Sequence, residues 1–331
     1  MTPSASPMVS IIIVSFNTRD LLRRCLQTVA EQAGEISYET IVVDNASKDG
    51  SAEMVQTEFP DTKVICSDVN LGFAGANNRG FEVATGKYIV LLNSDAFLCP
   101  GTLPTAVKKM EADPTVGLGG GRLVGSDYSW QPSARMFPSL LNDFLTISGL
   151  SAQYPLSRFF GRSDRTWADP EEPAEVDWVP GAFSIIRRDV LDGIGFFDER
   201  FFLYFEEVDL CQRIRKAGHS IWYWPDVMVI HLGGESSKTV DHLHLSPAGT
   251  QLTLWRMRSA LLYYRKHHGP WGAWQARAFE TLWHRMRAWK NRLAGDQTRK
   301  EKIQEAQLFV SLMSKAWRET AGGLHSPTPP W

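Results

Sequence analysis

Tyr88 to Leu92 is an apolar run, and Asn93-Ser94-Asp95 ends it. An amide, a hydroxyl and a carboxylate at that point need partners, because a buried carboxylate is costly unless it is paired, hydrogen-bonded or bound to a metal. A polar turn after a strand is one reading. A metal site at the strand's C-terminal end is the other. Asp44 ends a second apolar run, Thr40 to Asp44, where it can cap the next helix or meet a ligand. Glu206 and Glu207 are adjacent carboxylates behind an aromatic cluster of Phe201, Phe202, Tyr204 and Phe205. Acids in a first helical turn favour the helix dipole, and Asp209 is spaced to pair with Arg213 at i,i+4. That pattern does not explain why the aromatic cluster leads into two carboxylates.

Positioning these residues falls to an alternation of strands and helices. Val9–Ser15, Thr40–Asp44, Lys63–Cys66 and Tyr88–Leu92 are short apolar runs with the composition of buried strands. Leu21 to Val29, Asp49 to Phe59, Phe73 to Thr85 and Thr102 to Met110 carry helical patterns between and after them. The alternation predicts an α/β fold with a largely parallel sheet covered on both faces. Ligands bind beyond the carboxyl ends of such strands, so Asn17, Asp44 and Asp95 should share one edge. Val116–Val124, rich in glycine, predicts a strand closely approached by its neighbours. Residues 126–175 are irregular and predict a long loop or lid. Val179–Arg187, Ile221–Trp224 and Val227–His231 return to strand character, and Phe205–Gly218 reads as a helix stopped by glycine.

The chain has 331 residues, 43% hydrophobic and 22% charged, with a formal net charge of −2. That is ample for a buried core, and it gives no global field favouring nucleic acid. Cys25, Cys66, Cys99 and Cys211 are scattered without a C-x-x-C pair, which predicts reduced, mostly buried thiols in a cytoplasmic protein. No basic-then-apolar leader and no run near the ~18 apolar residues of a membrane span is present. Any meeting with a membrane is at its surface.

Six pieces stand in order: VSIIIVSFN (9–17), VVDNAS (42–47), NLGFAGANNRG (70–80) with LLNSD (91–95), WVPGAF (178–183), FEEVD (205–209) and HLGGES (231–236). In this set the chain resembles the family 2 glycosyltransferases over roughly residues 9–240, closest to the rhamnosyltransferase-like branch. The resemblance implies a GT-A fold and transfer of a sugar from a nucleotide diphosphate donor with inversion. It implies that Ser15, Phe16, Asn17, Asp44 and Asn45 line the nucleotide pocket, and that Asn77, Asn78, Asn93 and Ser94 add donor contacts. It places a divalent cation, Mg2+ or Mn2+, on Asp95 with His231. Asn93 stands where the family's Asp-x-Asp motif has its first acid, so one charge is lost. Glu207 occupies the catalytic base position, as a longer acid than the usual Asp, with Glu206 as fallback. Trp178, Gly181 and Glu206 would shape the acceptor pocket.

The first choice of donor is dTDP-L-rhamnose and the second a UDP-sugar, with a lipid-linked or polysaccharide acceptor. Two alternatives stay open. One is a sugar nucleotidyltransferase, which would want a glycine-rich loop after the first strand. The other is a non-catalytic nucleotide-sugar or polysaccharide-binding protein of degenerate transferase origin. The expected organisation is a catalytic domain over 1–246, with a nucleotide-sugar half at about 9–123 and an acceptor half at about 176–240. A helical extension follows over 247–331. Residues 251–300 hold eleven Lys or Arg against two acids, and seven of the twelve Trp lie in 247–331. Trp and basic side chains together suit a membrane interface on the cytoplasmic face. Packing on the catalytic domain or a homodimer contact is the other use for them.

Overall fold

The computed structural model describes residues 6–233, 248–292 and 297–328. Gly234 to Ser236 of the last motif and Trp331 lie outside these. The elements run β1 (Val9–Ser15), α1 (Arg19–Gln32), β2 (Tyr38–Asp44), α2 (Ser51–Glu58), β3 (Lys63–Cys66), α3 (Gly72–Val83), β4 (Tyr88–Asn93), β5 (Ala96–Leu98), α4 (Thr102–Ala112) and β6 (Val116–Val124). Then come β7 (Trp130–Gln131), α5 (Leu140–Ile147), α6 (Leu150–Gln153), β8 (Ala174–Glu175), β9 (Phe183–Arg187), α7 (Arg188–Ile194), α8 (Glu206–Lys216) and β10 (Ser220–His231). Two long helices follow, α9 (Ala248–Arg292) and α10 (Gln297–Glu319).

One sheet carries the order β3-β2-β1-β4-β9-β6-β10-β5. β1, β2, β3 and β4 are parallel, as are β6 and β10. The fold is therefore α/β with a mostly parallel, mixed sheet. β9 departs from the expectation, because it runs antiparallel to both β4 and β6. Two further expectations are corrected. Ile221–Trp224 and Val227–His231 belong to one strand, β10, whose register on β6 shifts between Trp224 and Met228. Pro225 lies there and has no N–H to give the ladder. Residues 126–175 carry the short elements β7, α5, α6 and β8 rather than a bare loop.

The core lies on both faces of the sheet. Ile11, Ile13, Val42 and Val90 face α1 and α4, while Ile12, Ile41, Val43 and Ile89 face α3 and α8. That two-sided burial is why the strands read as unbroken β-branched runs instead of alternating ones. The glycines of β6 answer a packing need: a Cβ on Gly119 would sit 1.9 Å from the Trp224 ring.

The first half of α9 packs against the segment leading into α8 and against α5. Phe202 meets Trp255 with centroids 4.5 Å apart, Ser259 donates to the Leu203 carbonyl at 2.8 Å, and Tyr264 donates to Asp143 at 2.6 Å. The helix breaks at Gly269 (φ 73°), just before Pro270. It then continues to Arg292 packed on α10.

Candidate active site

Asp44, at the end of β2, is paired in register with Ser15 of β1. Its Oδ2 accepts from the Ser47 amide at 3.2 Å, while Oδ1 is buried with no hydrogen-bond partner among the described residues. Burial raises its pKa, partly countered by hydrogen bonds from Ser47. Asn17 has a left-handed backbone (φ 52°), which Asn tolerates better than most residues. Its N–H donates to Ser47 Oγ and its Oδ1 accepts from the Lys48 amide at 2.7 Å. Asn17 thus ties the loop after β1 to the loop after β2, with Phe16 half-buried beside it. Ser94 is buried and receives a hydrogen bond from Thr18, so β1 and β4 are latched at the same edge.

Asp95 is buried just beyond β4, and antiparallel pairing of β5 with β10 sets Ala96 opposite His231. His231 Nε2 consequently stands 3.5 Å from Asp95 Oδ1 and 3.4 Å from the Asn93 amide nitrogen. Gln131 decides the imidazole's tautomer. Its amide nitrogen donates to the His231 carbonyl at 2.9 Å, so its oxygen must face His231 Nδ1, at 3.1 Å. Nδ1 then carries the proton and Nε2 keeps its lone pair towards Asp95. Burial lowers the His231 pKa, though Asp95 opposes this. A neutral imidazole nitrogen facing a carboxylate is a donor set that fits a divalent cation. No group of three or more His, Cys, Asp or Glu converges among the described residues. A cation held here would draw its remaining ligands from water and phosphate, as Mg2+ commonly does.

Glu206 and Glu207 open α8. The two residues before them, Tyr204 (φ 70°) and Phe205 (φ 69°), are both left-handed. Bulky residues rarely adopt that conformation, so the turn into the helix stores strain where the carboxylates are placed. Glu206 is buried and Glu207 half-buried, and one oxygen of each lacks a hydrogen-bond partner among the described residues. Burial pushes Glu206 well up, and the neighbouring Glu207 charge pushes it further. Burial also raises Glu207, while the Arg135 charge holds it down. The pair is thereby split into one carboxyl that keeps its proton more firmly and one that ionises more readily.

Arg135 lies over the Trp178 ring at 5.0 Å and is bridged to Trp178 through the backbone. Trp178 Nε1 donates to the Met136 carbonyl at 2.9 Å, and Gly181 sits against Phe73, whose ring an added Cβ would meet at 3.2 Å. Residues 131–135 therefore connect two centres: Gln131 holds His231, and Arg135 acts on Glu207. Neither was singled out from the sequence, because both lie in the irregular 126–175 stretch. A polar residue on each side of the short Pro-Ser-Ala segment was the only signal there.

Three predicted donor contacts have other partners in the structure. Asn45 bonds Asn70 and the Leu71 amide, Asn77 is buried and donates to the Phe73 carbonyl, and Asn78 is taken up by Phe197 and Glu199. Their amides fasten α3 to its surroundings, and Asn satisfies such buried backbone groups as readily as it binds a ligand.

The family model for glycosyl transferase family 2 matches residues 10–195. The chain belongs to that family. It is a glycosyltransferase, and of the readings left open by the sequence the nucleotidyltransferase and the non-catalytic binder fall away. This family 2 enzyme is similar to an N-acetylglucosaminyl-diphospho-decaprenol L-rhamnosyltransferase of Mycobacterium tuberculosis (strain ATCC 25618 / H37Rv), 27% identical over 285 residues, covering 81% of this chain and 87% of that one. It is also similar to the rhamnosyltransferase WbbL of Escherichia coli (strain K12), 28% identical over 244 residues, with 70% and 86% covered. Among solved structures it resembles the mannosyltransferase PcManGT of Pyrobaculum calidifontis, in complex with GDP-Man and Mn2+ (TM-score 0.51, 18% identity, 97% of this chain and 88% of that). GalNAc-T7 with UDP, GalNAc and Mn2+ gives a TM-score of 0.54 at 15% identity, over 99% of this chain and 59% of that. These two likenesses establish the GT-A type of fold. No helix among the described residues is long and apolar enough to cross a membrane.

Proposed function

We propose that the enzyme transfers L-rhamnose from dTDP-rhamnose, with inversion, to a hydroxyl of a lipid-linked glycan; a UDP-sugar is the second choice of donor. The observation that carries the reading is that Asp44 and the Asp95–His231 pair lie at strand ends, while residues 131–135 link His231, through Gln131, to Glu207 at the start of α8, through the charge of Arg135. The choice of rhamnose and of a lipid-linked acceptor leans on similarity to the two rhamnosyltransferases.

In this reading residues 1–246 form the catalytic unit and 247–331 extend it. Asp44, with Ser15, Phe16 and Asn17, receives the base and ribose. Asp95 and His231 hold Mg2+ or Mn2+, which when bound would neutralise charge developing on the diphosphate as it leaves. Glu207 takes the proton from the acceptor hydroxyl as that oxygen attacks the anomeric carbon from the face opposite the departing diphosphate. Glu206 and Gly181 bound the acceptor side with Trp178, whose indole is held by Met136 and covered by Arg135. A lipid-linked acceptor brings the enzyme to a cytoplasmic membrane surface. A donor panel scored by released nucleoside diphosphate tests the proposal: release that depends on acceptor and is fastest with dTDP-rhamnose supports it. Turnover with UDP- or GDP-sugars alone overturns the donor.

A further inference from the structure

The second half of α9, residues 270–292, is apolar on two faces. Its inner face is accounted for: Phe279 and Trp283 pack on Phe144 of α5, and His284 stacks on Phe309 of α10. Its outer face is not. Trp271, Trp274, Leu282, Met286 and Trp289 are between 49% and 72% exposed. Their three- and four-residue spacing, with Ala278 bridging the gap, lines them along one stripe about five turns long. Three exposed tryptophans on one stripe mark an interaction surface rather than scattered surface apolarity.

Charge selects the partner. Arg285 and Arg292 fall on one edge of the stripe by helical spacing and Lys290 on the other; all three are exposed with no ion pair among the described residues. Arg277 and Arg287 are already engaged, over Trp317 and with Glu305. The sole carboxylate of 270–292, Glu280, is turned away from the stripe, 3.8 Å from Arg256. A two-fold contact between copies sets the same patch against itself, so these cations would face each other with no acid to answer them. A bilayer with anionic headgroups satisfies both components: indole rings sit at the headgroup level, and cations gain from the surface potential. A helix of this kind lies in the interface without spanning.

We propose that the outer face of residues 270–292 is an interfacial anchor for an anionic membrane. The inference deepens the reading of a lipid-linked acceptor and rests on it for its purpose. The geometry joins the two, since Tyr263, Tyr264 and Ala273 of the same helix share an apolar cluster with Phe205 and Trp178.

The test uses the full chain with vesicles of phosphatidylcholine, with and without phosphatidylglycerol, at low and high salt. The protein should float with the anionic vesicles at low salt, and brominated lipid should quench its tryptophan emission. Replacing Trp271, Trp274 and Trp289 together by Ser should lower retention by at least about tenfold. Replacing Arg285, Lys290 and Arg292 together by Gln should lower it by on the order of a hundredfold. Transfer to a short-chain, water-soluble acceptor should be unchanged in both variants. Absence of quenching in the wild-type protein overturns the anchor, as does equal retention of the variants. A wild-type dimer that the Trp substitutions dissociate, without vesicle retention, overturns it in favour of a second copy. Vesicle retention as expected, with no transfer to any lipid-linked acceptor, supports the anchor and overturns the acceptor reading instead.

Discussion

Asp209 and His267 meet at 2.8 Å, a fully buried carboxylate against an imidazole Nε2, and the contact binds α8 to α9. Arg213 at 2.9 Å and Lys266 at 2.7 Å complete the cluster around Asp209. Burial pushes the Asp209 pKa up, but the His267 hydrogen bond and the Arg213 and Lys266 charges outweigh it and hold the carboxyl below the usual range. A depressed folded-state pKa contributes stability above the unfolded value near ~4, and that stability is lost as pH falls through the folded value. Asp209→Asn leaves the cations without their counter-charge and should cost ~3–5 kcal/mol at neutral pH. Urea unfolding of the wild type and variant at pH 7 and pH 3 measures it. The difference should shrink at the lower pH, and equal midpoints at pH 7 would show that the cluster contributes nothing.

Glu207 as the base carries a separate expectation. Glu207→Gln keeps the size of the side chain and removes the proton acceptor. Transfer should fall by ~10²–10⁴-fold while donor affinity is retained. Glu206→Gln should leave more activity, because Glu206 is the carboxyl more firmly held in its protonated form. Single-turnover transfer and donor titration on both variants separate the roles. A larger loss in Glu206→Gln would reassign the base to the fallback residue.

Arg135 should show itself in the pH profile. Glu207 must be ionised to accept a proton, and burial already places its pKa above the ordinary carboxylate range. The acidic limb of kcat should therefore lie above pH ~4.3, the free Glu value. Arg135 lowers that pKa, so Arg135→Met should move the limb to higher pH. At a pH well above the limb, kcat should recover towards wild type. A uniform drop at every pH would mark Arg135 as structural support for Trp178 instead.

The strand framework and its functional edge were legible because their physics is local. β1 and β4 are buried on both faces, so Ile11 to Val14 and Ile89 to Leu92 announce themselves as β-branched or aliphatic runs. The strand-end rule then brought Asp44 and Asp95 to one edge. The direction of β9 was not legible, since an apolar run reads the same for a parallel or antiparallel neighbour. Gln131 and Arg135 were not legible either. Their importance comes from His231 and Glu207, each far away in the chain, and the Pro- and Ser-rich segment around them has no periodicity to fix a face. The aromatic and basic composition of 247–331 was visible in the sequence. Only packing separates Trp255 and Trp283, turned inward, from Trp271 and Trp289, turned out.

The Asp95–His231 pair can be tested without turnover. If it holds the cation, Mn2+ should bind the full-length protein together with a nucleoside diphosphate, read by electron paramagnetic resonance or calorimetry. Asp95→Asn should weaken that binding strongly, and excess chelator should abolish transfer until Mg2+ or Mn2+ is restored. Gln131 supplies the sharper check. Gln131→Leu removes the acceptor that keeps the proton on His231 Nδ1, so the proton can move to Nε2, the nitrogen facing Asp95. The loss expected from such an outer partner is ~10–100-fold in metal affinity. Nitrogen NMR of the imidazole reports the tautomer directly. Unchanged Mn2+ affinity with a shifted tautomer would show that His231 Nε2 is not a ligand. Full transfer in chelator would remove the metal from the mechanism altogether.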